Sequence, residues 1–246
     1  MERELLNIGE TAKILGITQQ TLRRWDKKGI LTAIHPSGSQ HRYYRPEDIQ
    51  VLLLSRDDIV QASWRWATAE PPVEPASMYY CQTRDVFTAR WERLVGELAR
   101  IVLRDDGQSN LIAGIASEIG NNSFDHNIGN WPDIPGVFFG YDLKRREIVL
   151  ADRGRGILTT LRQTRPELKN DLEAVEMAFT KAISGRAPET RGNGLKFVKA
   201  AVRSGTSISL VFQSGVAQIS LMRRNSHLSV RVAHPAIQGC LAIINF

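Results

Sequence analysis

Cysteine is nearly absent from this 246-residue chain. Cys81 and Cys240 are the only two, too few for a disulfide-stapled scaffold. No apolar run approaches the roughly 18 residues that cross a bilayer, which argues against an integral membrane protein and a membrane partner. The opening MERELLNIGET has neither the basic segment nor the apolar stretch of a secretory signal. The expectation is a cytoplasmic protein with reduced thiols. Acidic residues stop at Glu189, beyond which seven basic residues stand unopposed, and the whole chain carries a formal charge of +6. That imbalance points to phosphate or nucleic acid as a partner. No internal repeat is visible. What remains is ordinary globular composition, 42% apolar and 24% charged, sufficient for one large domain or two modest ones.

The first stretch reads as a small helical unit. In NIGETAKILGITQQTLRRWDKKGIL, Ile8, Ala12 and Leu15 share one helical face, Gly16 ends that helix and Thr18 caps the next. The second helix turns Leu22 and Trp25 inward and leaves Arg23, Arg24, Lys27 and Lys28 on its other faces. In HPSGSQHRYYRPEDIQVLLL the Pro-Ser-Gly cluster predicts a hairpin tip, His41–Tyr44 a strand, and Pro46 the first turn of a further helix. Through GETAKILGIT, TLRRWDKKGIL and QHRYYRPEDI, residues 6–54 resemble the winged helix-turn-helix of the MerR and excisionase type. The resemblance implies that the helix around Gln19–Lys28 enters the major groove of double-stranded DNA. Thr18, Gln19, Gln20, Arg23, Arg24 and Lys27 then face the duplex, and Arg42 and Tyr44 of the wing grip its backbone. MerR regulators continue into a dimerising coiled coil, and no heptad pattern follows here. A homodimer would need another surface.

The proline-rich ASWRWATAEPPVEPAS suggests a boundary, with Trp64 and Trp66 as candidates for packing the two domains together. The expected division is a DNA-binding domain with its following helix at 1–68, a linker at 69–80 and a second domain at 81–246. Within the second, 86–103 and 109–128 have helical periodicity, IPGVFFGYDL and REIVLAD read as strands, and four further strand-like segments fill the tail. Helices on one face of a mixed, mainly antiparallel sheet make a two-layer α/β sandwich, an α+β fold overall.

Three phrases carry the chemistry of this domain: SEIGNNSFDHN (117–127), ADRGRGI (151–157) and RGNGLKFVK (191–199). Glu118 and Asn122 lie four apart on a helix, so both side chains point into the same space. Asp152 precedes Gly154 and Gly156 after a strand, and Gly192 and Gly194 open an apolar helix whose bare backbone suits phosphate. Singly each phrase is commonplace. In this order they resemble the GHKL ATPases of the Bergerat fold, over residues 108–246. The resemblance implies that Glu118 activates water and that Asn122 holds Mg2+ on the ATP phosphates. It implies that Asp152 accepts the exocyclic amine of adenine and that Gly154, Gly156 and Ile157 let the ring approach. Residues 158–191 become a lid, and Arg191, Gly192, Asn193, Gly194, Leu195 and Lys196 meet the phosphates, with His126 alongside. Histidine kinases carry an acceptor histidine on a preceding helix, and VFTARWERLVGELARIVL has none. The SEIGNNSFDHN phrase looks closest to the anti-sigma kinases, which implies a small STAS-like protein partner. Two functions follow as expectations: an ATP-binding regulator whose Mg-ATP domain, with or without slow hydrolysis, switches a DNA-bound domain, or a serine/threonine kinase of anti-sigma type.

Overall fold

A computed structural model describes residues 5–15, 18–27, 29, 31–36, 41–46, 48–49, 59–101, 107–180, 194–223 and 228–246. The chain forms two compact units, Met1–Asp58 and Ile59–Phe246.

In the first unit, strand β1 (Leu6–Asn7) leads directly into helix α1 (Ile8–Ile14). Asn7 closes a capping box: its Oδ1 accepts the Gly9 and Glu10 amides, and Glu10 accepts the Asn7 amide. Helix α2 (Gln19–Lys27) begins under Thr18, whose Oγ1 accepts the Thr21 amide at 3.1 Å. β1 pairs antiparallel with β2 (Tyr43–Tyr44), and Ile34 bridges to Tyr43 at the base of the expected wing. Ala12, Leu15, Leu22, Trp25, Leu31, Tyr44 and Ile49 make the core. Of the expected Pro-Ser-Gly hairpin tip, residues 37 and 38 lie outside the described residues.

The second unit is built on a five-stranded sheet, in the order β3 (Tyr80–Cys81), β4 (Val137–Asp142), β5 (Glu147–Asp152), β7 (Val230–Asn245), β6 (Ser209–Met222). Each described pairing is antiparallel, in keeping with the expected mainly antiparallel sheet. The turn between β4 and β5 falls at the expected Lys-Arg-Arg, with Asp142 Oδ1 accepting the Lys144 and Arg145 amides. The four tail segments merge into two long strands that keep pairing across register shifts at Ser214–Ala217.

Strand alternation sorts the side chains onto two faces. Val137 and Phe139, Ile148 and Leu150, Ala242 and Ile244 point toward α4 (Arg84–Ile101), α5 (Gln108–Asn127) and α8 (Gly194–Ser204), forming the main core with Phe87, Leu94, Ile115 and Val202. Phe138, Val149, Ala151 and Leu241 are buried on the opposite face, where α3 (Ile59–Thr68) packs on β4, β5 and β7. The two-layer sandwich therefore has a partial third layer.

That layer shifts the expected boundary, because α3 groups with the second unit and not with the first. Trp66, a candidate for joining the domains, packs on Phe138 with ring centroids 6.2 Å apart. The expected linker is a strap tied to the same unit: Trp66 Nε1 donates to the Val73 carbonyl, Arg90 to the Ser77 and Met78 carbonyls, and Tyr79 stacks on Phe138. Among the described residues no helix is long and apolar enough to cross a membrane. Cys81 and Cys240 are free thiols, and burial pushes Cys81 up to about 11.

Candidate functional site

Helix α5 presents the first phrase to the sheet. Glu118 and Asn122 fall on one face as the four-residue spacing demands, and Asn122 Nδ2 donates to Glu118 Oε1 at 3.2 Å. One residue further on, Ser123 Oγ donates to Asp152 Oδ2 at 2.7 Å. Asp152 is the last residue of β5, and its carboxylate is 2% exposed. Its Oδ1 accepts the Gly154 amide at 2.8 Å, and the Cys240 amide donates to the same carboxylate. Burial lifts its pKa above the ordinary carboxylate value against these three bonds, which act to lower it. A carboxylate has roughly four acceptor positions. Three are filled among the described residues, which leaves about one.

The cavity is bounded by Ile119, Asn122, Ser123, His126 and Asn127 of α5, by Asp152, Gly156, Ile157 and Thr160 after β5, by Leu195 of α8, and by Phe212 and Cys240 of the tail strands. Its walls combine apolar faces for a flat ring with one directed acceptor, the usual make-up of a small-molecule site. Burial and the neighbouring Asp152 carboxylate hold the Cys240 thiol well above its ordinary pKa, so it serves as an apolar wall and not as a thiolate. The cavity volume is about 40 Å³, whereas occupied ligand sites span roughly 300–1,000 Å³.

Two glycines are fixed by close approach. A Cβ on Gly154 would overlap the Asn127 amide, and one on Gly194 would overlap Glu118 Oε1. Helix α8 thus starts directly against the Glu118–Asn122 pair. Gly156, at φ 72°, opens the short helix α6 (Gly156–Leu161) and turns the Ile157 amide onto Ser214 Oγ, 3.0 Å away. Ser214 Oγ in turn donates a hydrogen bond to the Gly239 carbonyl at 2.9 Å.

Most of the expected nucleotide residues come together: Glu118, Asn122, His126, Asp152, Gly154, Gly156, Ile157, Gly194 and Leu195 surround or border this cavity. Lys196 lies on the first turn of α8. Arg191, Gly192 and Asn193 lie outside the described residues, as does the lid from 181 onward. The earlier part of the expected lid forms α6 and α7 (Asp171–Thr180), which share a cluster of Leu161, Leu168 and Ala174, while Phe179 packs on Phe212. Ser123, Asn127, Ser214 and Cys240 were not anticipated. Ser123 and Asn127 sit inside the SEIGNNSFDHN phrase at helical spacing from Glu118, a signal that was available. Ser214 and Cys240 have no local signature and arrive through strand pairing.

Among the described residues no cluster of three or more His, Cys, Asp or Glu could hold a metal alone. A magnesium ion carried on phosphates asks for only one or two protein oxygens, and the Asn122 amide and Glu118 carboxylate are of the right chemistry.

On the first unit, Thr18, Gln20, Thr21, Arg23, Arg24 and Lys27 line one open surface of α2, and all but Thr21 are exposed. Gln19 is exposed beside Gly9 of α1. The wing differs from expectation. Tyr44 is fully buried in the core, because β2 pairing turns alternate residues inward, so it cannot grip a DNA backbone. Arg42 Nε is committed to Asp26 Oδ2 at 2.8 Å. The Ala33 amide and Arg42 hold Asp26 below its ordinary pKa.

Comparison with known proteins agrees for the first unit. Residues 6–57 match the model of the MerR HTH family regulatory protein. The N-terminal unit is a MerR-family helix-turn-helix domain. The Escherichia coli type II methyltransferase M.Eco47II is 36% identical over 50 residues, covering 20% of this chain and 12% of that protein. Similar solved structures include the topoisomerase IV ATP-binding domain of Francisella tularensis (16% identity, 54% of this chain and 35% of that one, TM-score 0.34). Another is the 43K ATPase domain of Thermus thermophilus gyrase B (18% identity, 63% of this chain and 38% of that one, TM-score 0.35). This chain thus spans little more than a third of either structure. The functional reading of the second unit rests on its cavity.

Proposed function

We propose that this protein is an ATP-responsive DNA-binding regulator, with α2 on the duplex and Mg-ATP in the cavity of the second unit. The observation that carries the reading is the single open acceptor position of a buried, triply bonded Asp152 at the floor of an apolar slot. It is complementary to the exocyclic amine of adenine and opposes the carbonyl that guanine bears there. Ile157 and Phe212 supply faces for the ring. The N-terminal turn of α8 offers amides and the positive end of its dipole to the phosphates. Asn122 supplies an amide oxygen to a magnesium ion, which when bound would neutralise phosphate charge. Glu118, within hydrogen-bond reach of Asn122, is the carboxylate placed to take a proton from an attacking water. Arg23, Arg24 and Lys27 give the DNA surface its phosphate affinity. The protein acts in the cytoplasm.

The same phosphate geometry serves transfer to a protein hydroxyl, the anti-sigma-type alternative, with a small STAS-like protein as acceptor. Incubation with γ-labelled ATP and magnesium, with and without such a partner, separates the readings. Retained nucleotide with free phosphate, or with no turnover, supports the regulator; label on protein supports the kinase. No retained nucleotide at all defeats both.

A further inference from the structure

Two consecutive residues at the end of β5 look in opposite directions, as strand alternation requires. Asp152 turns toward α5, where Ser123 meets it. Arg153 turns toward α3 and is 3% exposed. Its Nε and Nη2 donate to Asp133 Oδ2 at 3.0 and 2.8 Å, and its Nη1 donates to the carbonyls of Trp66 and Ala67 at 2.8 and 3.1 Å. These carbonyls belong to the last turn of α3, where intrahelical donors have run out and the negative end of the dipole favours a cation. Gln238 Nε2 completes the cluster, donating to Asp133 Oδ2 and to the Arg153 carbonyl, each at 3.1 Å. Two residues along the same strand, the Cys240 amide reaches the Asp152 carboxylate. The turns 152–154 and 238–240 thus hold the open acceptor on one side of the sheet and the end of α3 on the other. The opposite end of α3, Ile59, follows directly on Asp58, the last residue of the DNA-binding unit.

We propose that Arg153 transmits nucleotide occupancy at Asp152 to α3, the helix through which the chain leaves the DNA-binding unit. The proposal rests on the ATP reading given above. A carboxylate that gains the adenine amine must share its lone pairs among four donors instead of three. Two of its existing donors, the Gly154 and Cys240 amides, are backbone groups one residue beyond Arg153 and two beyond Gln238. Any adjustment there moves the guanidinium, and the fixed fork of an arginine passes the movement to the Trp66 and Ala67 carbonyls. A lysine keeps the charge and loses the fork. Arg153 is a positioning residue in this scheme and does not touch nucleotide.

The test measures affinity of the full chain for a labelled duplex of mixed sequence at low salt, where phosphate contacts dominate, with and without a non-hydrolysable ATP analogue. The wild type is expected to show a difference of about tenfold, within the usual range of allosteric coupling. Arg153→Lys is expected to bind analogue, and duplex in the absence of analogue, as the wild type does, while the analogue no longer changes its duplex affinity; Gln238→Ala is expected to fall between. A wild-type chain that ignores the analogue overturns the regulator reading and this link together. A wild-type difference that persists in Arg153→Lys overturns the link alone. Should Arg153→Lys fail to fold, hydrogen exchange on the wild type decides. Altered protection of the Trp66–Thr68 amides on analogue binding supports the link. Altered protection confined to Asp152–Gly156 refutes it.

Discussion

Replacing Asp152 by asparagine separates recognition from stability. The carboxylate accepts three hydrogen bonds and leaves one position for ligand. In Asp152→Asn the amide oxygen can stay on the Gly154 amide while the nitrogen turns to Ser123, whose hydroxyl rotates to accept. The face toward the cavity then loses its charge-assisted acceptor, worth about 1.5–3 kcal/mol, so ATP should bind about 10- to 150-fold more weakly at 1.4 kcal/mol per tenfold. Discrimination against GTP should shrink with it, since an amide nitrogen can donate to the guanine carbonyl. Stability should move the other way. Burial raises the Asp152 pKa in the folded state, so the folded chain holds the proton more tightly than the unfolded one. Stability then falls as pH rises from the ordinary value of 3.8 through the raised one. Asparagine carries no such penalty. Calorimetric titration with ATP and GTP, beside a thermal scan of the ligand-free chain at pH 7, reads both quantities. Unchanged ATP affinity sinks the adenine assignment, and a Tm well below wild type shows the carboxylate to be a structural strut.

Ser214→Ala removes the acceptor of the Ile157 amide and should cost about 1–3 kcal/mol in chemical denaturation, the usual penalty for an unsatisfied buried donor; a loss near zero would mean that another group takes over. Arg23→Ala and Arg24→Ala should each lower the magnitude of the slope of log affinity against log salt by about one for duplex binding, and an unaltered slope removes that residue from the phosphate interface. Tyr44→Phe deletes a buried hydroxyl with no hydrogen-bond partner among the described residues. It should leave duplex affinity unchanged and stability equal or higher, whereas weakened DNA binding would restore Tyr44 to the interface.

What could be read from the chain follows the range of the interactions that fix it. Helix α2 is legible because Thr18, Leu22 and Trp25 act within one another's reach. The Glu118–Asn122 pair is legible because four residues return a helix to the same face. Tyr44 was misplaced because neighbouring aromatic residues in a two-residue strand differ only in which face they take, and that choice belongs to the pairing with Leu6. The boundary was drawn past α3 because prolines 71, 72 and 75 look like a linker. The strap is instead held by Trp66 and Arg90 through bonds to its carbonyls, which no composition shows. Cys240 reaches the cavity wall, and Ser214 the Ile157 amide behind it, from strands more than 50 residues beyond Asp152.

The strand β7, last in the chain, lies between β5 and β6. During synthesis the first unit has its own core from residues before position 50, and domains fold in order as they emerge. The Asp152 carboxylate does not acquire its Cys240 donor until residue 240 has left the ribosome. The core of the first unit can therefore be in place before the Asp152 carboxylate has all its donors, and a ribosome stalled within the last strand would hold a folded first unit beside an unfinished cavity.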